Sequence, residues 1–459
     1  MKKSEYSDLF IDFDYICTEI KHLSKMRRKV LEQLIGWKNN PKRMPLIVNG
    51  ARQVGKTYII KEFGQLHFSS VVYVNLETNL AVNSYFDTDI TPLRIIQYLE
   101  TATNTRIIAG ETLIVLDEIQ SCARALTSLK TFCEEAPEFH IVAAGSLLGV
   151  AVNRENYSFP VGKVDEMTMF PMDFEEFLWA TDKEMLGAEI RNHFSTNQAL
   201  PEILHIQALE FYKQYLIVGG MPAVVREFIE SKSLITATEI QGRILNEYIA
   251  DMAKYATAST SVKIRACYNS IPSQLAKENK KFQYKTVQKG GTSTIFGEAI
   301  EWLHFAGVVL KCQKINHGFL PISVYADLSD FKLYMSDTGM LTMKSGMPKQ
   351  IILSQLEEDN GFLGVLSENY VAQALTSNGF PLFYWKNENT AELDFVLIIG
   401  GKVIPVEVKK GNRTKSVSMN LFVNKYDCPY AIRISKKNFG FENNIKSVPL
   451  YAVFCIETN

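Results

Sequence analysis

Pro45-Leu46-Ile47-Val48-Asn49-Gly50-Ala51-Arg52-Gln53-Val54-Gly55-Lys56-Thr57-Tyr58-Ile59-Ile60 is the stretch that decides the fold. The apolar run Leu46-Ile47-Val48 predicts a strand, and the residues after Thr57 predict a helix. Between them stands G-x-x-x-x-G-K-[ST], in the strand-then-helix context that gives this pattern its meaning. The glycines let the backbone curl until several N–H groups face one anion. The following helix adds its positive end. Gly50, Ala51, Arg52, Gln53, Val54, Gly55, Lys56 and Thr57 are therefore expected to cradle phosphates. Lys56 is expected to reach the β- and γ-phosphates, and the Thr57 hydroxyl to bind Mg²⁺. The expected ligands are ATP and Mg²⁺.

Downstream, strand-like and helix-like segments alternate, the pattern of a parallel sheet with helices on its faces. Val71 to Leu76 reads as a strand and Thr91 to Thr101 as a helix. Thr112-Leu113-Ile114-Val115-Leu116-Asp117-Glu118 has four apolar residues in a row, which suits a strand buried on both faces. Its two acids stand at the carboxyl edge, where open α/β sheets bind ligands. Asp117 is expected to hold Mg²⁺ and Glu118 to act as general base on the attacking water. His140 to Ser146 is the next buried strand. Ser146 is placed to read a γ-phosphate, or equally to cap the helix that follows.

Upstream, Lys25 to Trp37 reads as a helix, and its basic cluster Arg27, Arg28, Lys29 as a solvated face. Residues 185 to 260 read as a helical lid whose apolar stripes pack inward, with Arg226 or Lys254 within reach of the nucleotide. From residue 260 to about 342, helices precede paired strands, Gly307 to Leu310 and Phe331 to Met335. That order suggests a winged-helix-like module, and such modules can place a helix in DNA. No base-reading signature is visible, so DNA is a candidate partner only.

The last segment carries a second constellation. Glu392 to Ile398 runs into Gly400-Gly401, a hairpin signal, and returns as Val403 to Lys409. Glu407 and Lys409 share one strand face, and Asp394 lies across the hairpin. Asp394, Glu407 and a helical Glu368 form a candidate oxygen-ligand set for Mg²⁺. Lys409 is expected to orient or activate water, as in metal-assisted phosphodiester hydrolysis. The plainer reading is an amphipathic hairpin with a charged outer face, and the alternative function is an ATP-dependent switch or scaffold whose last domain docks protein or DNA without cleavage.

Several motifs together carry a family resemblance: G-A-R-Q-V-G-K-T, L-I-V-L-D-E-I-Q, A-A-G-S, F-P-M-D-F-E-E-F-L, Gly219-Gly220-Met221-Pro222, Lys332 to Gly339 and P-V-E-V-K at 405 to 409. The chain resembles prokaryotic AAA-superfamily P-loop ATPases with a C-terminal domain of unknown function, from about residue 25 to 455. The resemblance implies ATP binding and hydrolysis, and a winged-helix module. The order Glu368, Asp394, Glu407-x-Lys409 resembles PD-(D/E)xK nucleases, including Holliday-junction resolvases. One departure concerns Gly162-Lys163, where the family often has Gly-Arg. Lys lacks the planar fork of Arg, so whether Lys163 stands in for an arginine finger is left open by the sequence.

The bulk numbers bound these readings. At 459 residues the chain exceeds one ordinary core. Its 46% hydrophobic and 22% charged content is that of a globular protein. A net charge of -1 excludes a general nucleic-acid polycation. Seven scattered cysteines without a C-x-x-C pair point to reduced thiols rather than a zinc site. Without a signal-like start or a spanning run, a cytoplasmic location and no membrane partner are expected. Oligomeric state stays open. The expected fold is α/β. A helical lead-in (1–44) precedes a P-loop NTPase parallel sheet (45–180) and a helical lid (181–260). A winged-helix-like module (261–345) and a restriction-endonuclease-like α/β domain (346–459) complete the chain.

Overall fold

The computed structural model describes residues 26–146, 159–354, 361–387, 391–409 and 417–458. Most of the expected lead-in therefore lies outside the described residues, as does the helix that Ser146 was expected to cap.

Five strands build the first sheet: β1 (Leu46–Asn49), β2 (Ser70–Asn75), β3 (Thr112–Asp117), β4 (His140–Ala144) and β5 (Asp165–Thr168). Their order is β2-β3-β4-β1-β5, and every pairing is parallel. The expected parallel α/β sheet is present. All six residues of β3 are buried. Leu113 and Val115 enter one core while Ile114 and Leu116 enter another on the opposite face. This double burial is why β3 reads as an unbroken apolar run. From β1, which lies between β4 and β5, the chain crosses to β2 at the far edge, so the loop after β1 opens at the carboxyl edge beside the end of β4, where ligands sit in such sheets.

Helices Glu202–Val218, Pro222–Ser231 and Leu234–Tyr255 follow. Gly219 and Gly220 separate the first two. Both glycines are required by close approach: a Cβ at Gly219 would lie 2.2 Å from Asp337 Oδ1, and one at Gly220 1.9 Å from the Met172 carbonyl oxygen. The Asp337 carboxylate accepts from Gly220 N (2.6 Å) and Met340 N (2.9 Å). The motif stretches around 172, 220 and 337 thus meet in one buried joint.

Helices Ala258–Leu275 and Ser293–Phe305 precede an antiparallel pair, β6 (Val309–Ile315) and β7 (Ala326–Met335). This pair is not a free wing. β6 also pairs in parallel with β8 (Phe383–Lys386), which pairs with β9 (Glu392–Leu393), so a single sheet β7-β6-β8-β9 crosses position 345. The turn of the hairpin packs on helix Val417–Tyr426, with Phe319 and Tyr426 rings 5.0 Å apart.

The third sheet contains β10 (Phe395–Ile399), β11 (Lys402–Val408), β12 (Ala431–Ser435), β13 (Gly440–Glu442) and β14 (Ile445–Pro449), in the order β10-β11-β12-β14-β13. The hairpin at Gly400-Gly401 is formed, with Phe395 opposite Val406. No helix among the described residues is long and apolar enough to cross a membrane. All six described cysteines are free.

Candidate functional site

The loop from Gly50 to Thr57 leaves β1 and enters helix Lys56–His67. Gly50 has φ 141° and Gly55 φ 91°. A side chain at Gly50 would meet the Met169 carbonyl oxygen at 2.2 Å, so only glycine fits. The helix starts at left-handed Gly55 with no side-chain cap. Its first N–H groups are therefore left to an incoming anion.

Lys56 is buried, and its ammonium donates to the Gly50 and Ala51 carbonyl oxygens, both at 2.9 Å. Burial lowers its pKa to about 8, opposed by the nearby Glu118 and Asp117 carboxylates. A bound polyphosphate would oppose the burial cost in the same way.

Asp117 and Glu118 diverge at the end of β3. Asp117 Oδ2 accepts from Thr57 Oγ1 and from the Tyr73 hydroxyl, each at 2.8 Å. Burial and the Asp117 carboxylate raise the Tyr73 phenol to about 12, which keeps it a neutral donor. Thr57 Oγ1 and Asp117 Oδ2 make a hard oxygen pair of the kind Mg²⁺ takes, so the residues fit that ion. Glu118 turns away at φ 54° and lines the cavity, its carboxylate held by the Gln120 amide.

The cavity has a volume of about 650 Å³. Lys56, Thr57, Glu118 and Ser146 line it from the sheet side, and Pro222 and Arg226 from helix Pro222–Ser231. The structure thus brings five expected site features together: the loop, Lys56, Thr57, the Asp117–Glu118 pair and Ser146. Ser146 Oγ is buried with no hydrogen-bond partner among the described residues.

The lid braces the loop from the other side. The Tyr248 hydroxyl donates to the Arg52 carbonyl oxygen at 3.0 Å, and Gln53 Nε2 to Glu247 Oε2 at 2.6 Å. Arg52 itself pairs with Asp251, and Lys254 with Glu77. Of the two lid cations expected near the nucleotide, Arg226 lines the cavity and Lys254 is in an ion pair. Lys163 forms a 3.0 Å ion pair with Glu134.

Of the basic cluster at 27 to 29, Arg27 is exposed as expected, but Arg28 is not. Arg28 is buried against the Val54 and Phe170 carbonyl oxygens and Glu176, because the loop offers carbonyl acceptors that only a forked cation can serve together. Its partners lie up to 148 residues away, so local sequence carries no sign of it.

The C-terminal constellation is arranged differently from its expectation. Among the described residues, no group of three or more His, Cys, Asp or Glu could hold a metal ion. Lysines occupy the place expected for a cation. Glu368 accepts from Tyr334 Oη at 2.5 Å, lies 3.4 Å from Lys332 and pairs with Lys280. Lys332 also meets Glu392 at 2.8 Å. Those two cations hold the Glu368 carboxyl near 2 against the opposing effect of burial. Asp394 Oδ2 accepts from Val408 N at 2.8 Å, and burial and the Glu368 charge push its carboxyl up to about 7. Glu407 pairs with Lys409, just past the end of β11, and its second oxygen has no partner among the described residues. Lys409, expected to orient or activate water, is paired with Glu407.

Residues 42–178 match the family model described as AAA domain. Residues 209–351 and 363–453 match two models described as domains of unknown function, DUF8612 and DUF4143. Uncharacterized proteins of Mycobacterium bovis and Mycobacterium tuberculosis are each 32% identical over 92 residues, which is 20% of this chain and 20% of theirs. The chain thus spans about a fifth of the length of these curated relatives. Among solved structures, a Walker-type ATPase of Pyrococcus abyssi superposes over 70% of this chain and 95% of its own, at 13% identity and TM-score 0.44. The ORC2 protein of Aeropyrum pernix, in its ADPNP-ADP complexes, covers 78% of this chain and 94% of its own, at 12% identity and TM-score 0.32. Superpositions this loose carry no argument about function. The loop geometry and the match over residues 42–178 agree that this part of the chain is an AAA-type P-loop domain.

Proposed function

We propose that the chain binds ATP with Mg²⁺ in the P-loop cavity and hydrolyses it. The observation that carries this reading is one cavity lined by Lys56, Thr57, Glu118 and Ser146, with Asp117 bonded to Thr57 behind it. Lys56 supplies a positive charge able to leave its own loop carbonyls for the β- and γ-phosphates. The amides at the start of helix Lys56–His67 take the equatorial oxygens. A divalent cation, when bound, neutralises charge shared between the β- and γ-phosphates. Glu118, oriented by Gln120, accepts a proton from the attacking water. The free Ser146 hydroxyl donates to the γ-phosphate or to that water. Substituting Lys56→Ala should weaken ATP binding by about two orders of magnitude or more and abolish turnover. Binding by the variant at the affinity of the unaltered protein would refute the assignment.

The hydrolysis is proposed to serve the C-terminal half. Helices Ala258–Leu275 and Ser293–Phe305 with the β6–β7 pair are proposed as a winged-helix-like contact to DNA. An open groove lined by Lys281, Tyr284, Lys285 and Ser293 supports that surface. For the last segment, the lysine-neutralised Glu368 favours docking of DNA or protein without cleavage over a Mg²⁺-dependent nuclease. Phosphate contacts lose affinity steeply with salt. DNA binding that falls about tenfold or more between 50 and 200 mM salt, without strand cutting in Mg²⁺, is expected. A flat salt response or no binding would refute the DNA contact, and cutting abolished by Glu407→Ala would restore the nuclease reading.

A further inference from the structure

The segment Phe170 to Leu178 stands out in the sequence, yet only its surroundings touch the nucleotide cavity. Asp173 caps helix Phe174–Ala180, accepting from Glu176 N at 2.9 Å, while Glu176 Oε2 accepts from Asp173 N at 3.1 Å. Glu176 is buried, and its other oxygen, Oε1, accepts from Arg28 Nε (3.1 Å) and Lys29 N (2.7 Å). The Lys29 ammonium lies between Asp173 (2.5 Å) and Glu175 (2.6 Å). The box is a socket for the two basic residues that precede the first helix, Val30–Asn39.

What the socket aims is the Arg28 fork. Its Nη2 donates to the Phe170 carbonyl oxygen at 2.7 Å and its Nη1 to the Val54 carbonyl oxygen at 2.9 Å. Val54 immediately precedes left-handed Gly55. Within one planar trans peptide the C=O and the next N–H point in opposite directions. Holding the Val54 oxygen therefore fixes the direction of the Gly55 N–H. The same guanidinium lines the cavity, and its Nη1 lies 3.8 Å from where a Gly55 Cβ would be.

We propose that Arg28 is a positioning residue of the nucleotide site: a strut, seated on Glu176, that fixes the Val54–Gly55 peptide and places a permanent positive charge on the cavity wall. The inference rests on the nucleotide reading above. Arg suits the position because three acceptors must be met in one plane, which a lysine ammonium on a single stem cannot do. It also gives the residues ahead of the P-loop a part in nucleotide binding.

The test uses the full chain and a fluorescent N-methylanthraniloyl-ATP. Arg28→Met should raise its Kd by about tenfold or more, and Arg28→Lys, which returns the charge but not the fork, should recover part of that loss. KM for ATP should rise with Kd while kcat changes less. Glu176→Gln keeps an acceptor for Arg28 and should stay nearer the unaltered protein than Arg28→Met. A purely structural role would lower Tm in these variants and leave the Kd of the folded protein unchanged. That result overturns the proposal. If Arg28→Met does not fold, Arg28→Lys decides: a Kd within twofold of the unaltered protein overturns it, and a larger loss supports it. Failure of the unaltered protein to bind the probe overturns the ATP reading and this inference together. Binding that is lost in Lys56→Ala but kept in both Arg28 variants overturns the inference alone.

Discussion

Asp117 and Glu118 are neighbours in sequence held by different partners. Asp117 ends β3 with one oxygen shared by Thr57 and Tyr73 and the other taken by the Glu118 amide at 3.0 Å. Its carboxylate has little freedom left. Glu118 sits at φ 54°, a conformation that costs a non-glycine residue roughly 1–2 kcal/mol. Strain of that kind persists only where the surroundings enforce it. Here it swings the second carboxylate into the cavity that Lys56 also lines. Gln120 then fixes the orientation from two residues on. This division means that removing the Glu118 charge leaves the Thr57–Asp117 bond in place.

At the scale of elements, His140 shows how the first sheet is sealed. It starts β4 and packs edge-on between Trp37 of helix Val30–Asn39, 5.8 Å away, and Phe68, 5.1 Å away, just beyond helix Lys56–His67. Burial pulls its pKa down to about 4, and the Arg43 charge acts in the same direction. The unfolded chain takes up that proton near 6.5. The folded state therefore keeps its full stability above about pH 6.5 and loses it as pH falls toward 4. On the order of 2 kcal/mol should disappear over that window. His140→Phe should remove this part of the acid sensitivity, read from urea midpoints at pH 7.5 and 5. Parallel losses in both proteins would place the sensitivity elsewhere. The strands of this sheet are legible in sequence because burial on both faces turns them into apolar runs. The sheet β7-β6-β8-β9 is not, because Gln313 pairs with Phe383 seventy positions on and no local pattern announces it. Arg28 escaped for the same reason, since three adjacent cations look solvated until a distant carboxylate claims one.

At the scale of the whole molecule, one continuous apolar core runs from the helix at Val30 through the lid to the C-terminal strands. The joint of Met172, Gly220 and Asp337 lies inside it, and two residues beyond Gly220 the chain reaches Pro222 on the cavity wall. Asn369 and Gln373, from the helix that also carries Glu368, bond to Met335 and Thr338 beside that joint. The P-loop site was readable almost residue by residue, because its chemistry sits in one short stretch with the two strand ends that serve it. The C-terminal constellation was readable as a hairpin but not as a site. The neutralising Lys280 and Lys332 come from 88 and 36 positions away. Hydrolysis at the P-loop cavity is tested most directly by steady-state ATP turnover of the full chain beside its Glu118→Gln variant. The prediction is Mg²⁺-dependent turnover by the unaltered protein, and a variant that binds ATP as well while turning it over about a hundredfold or more slowly. Equal rates in the two proteins would contradict it.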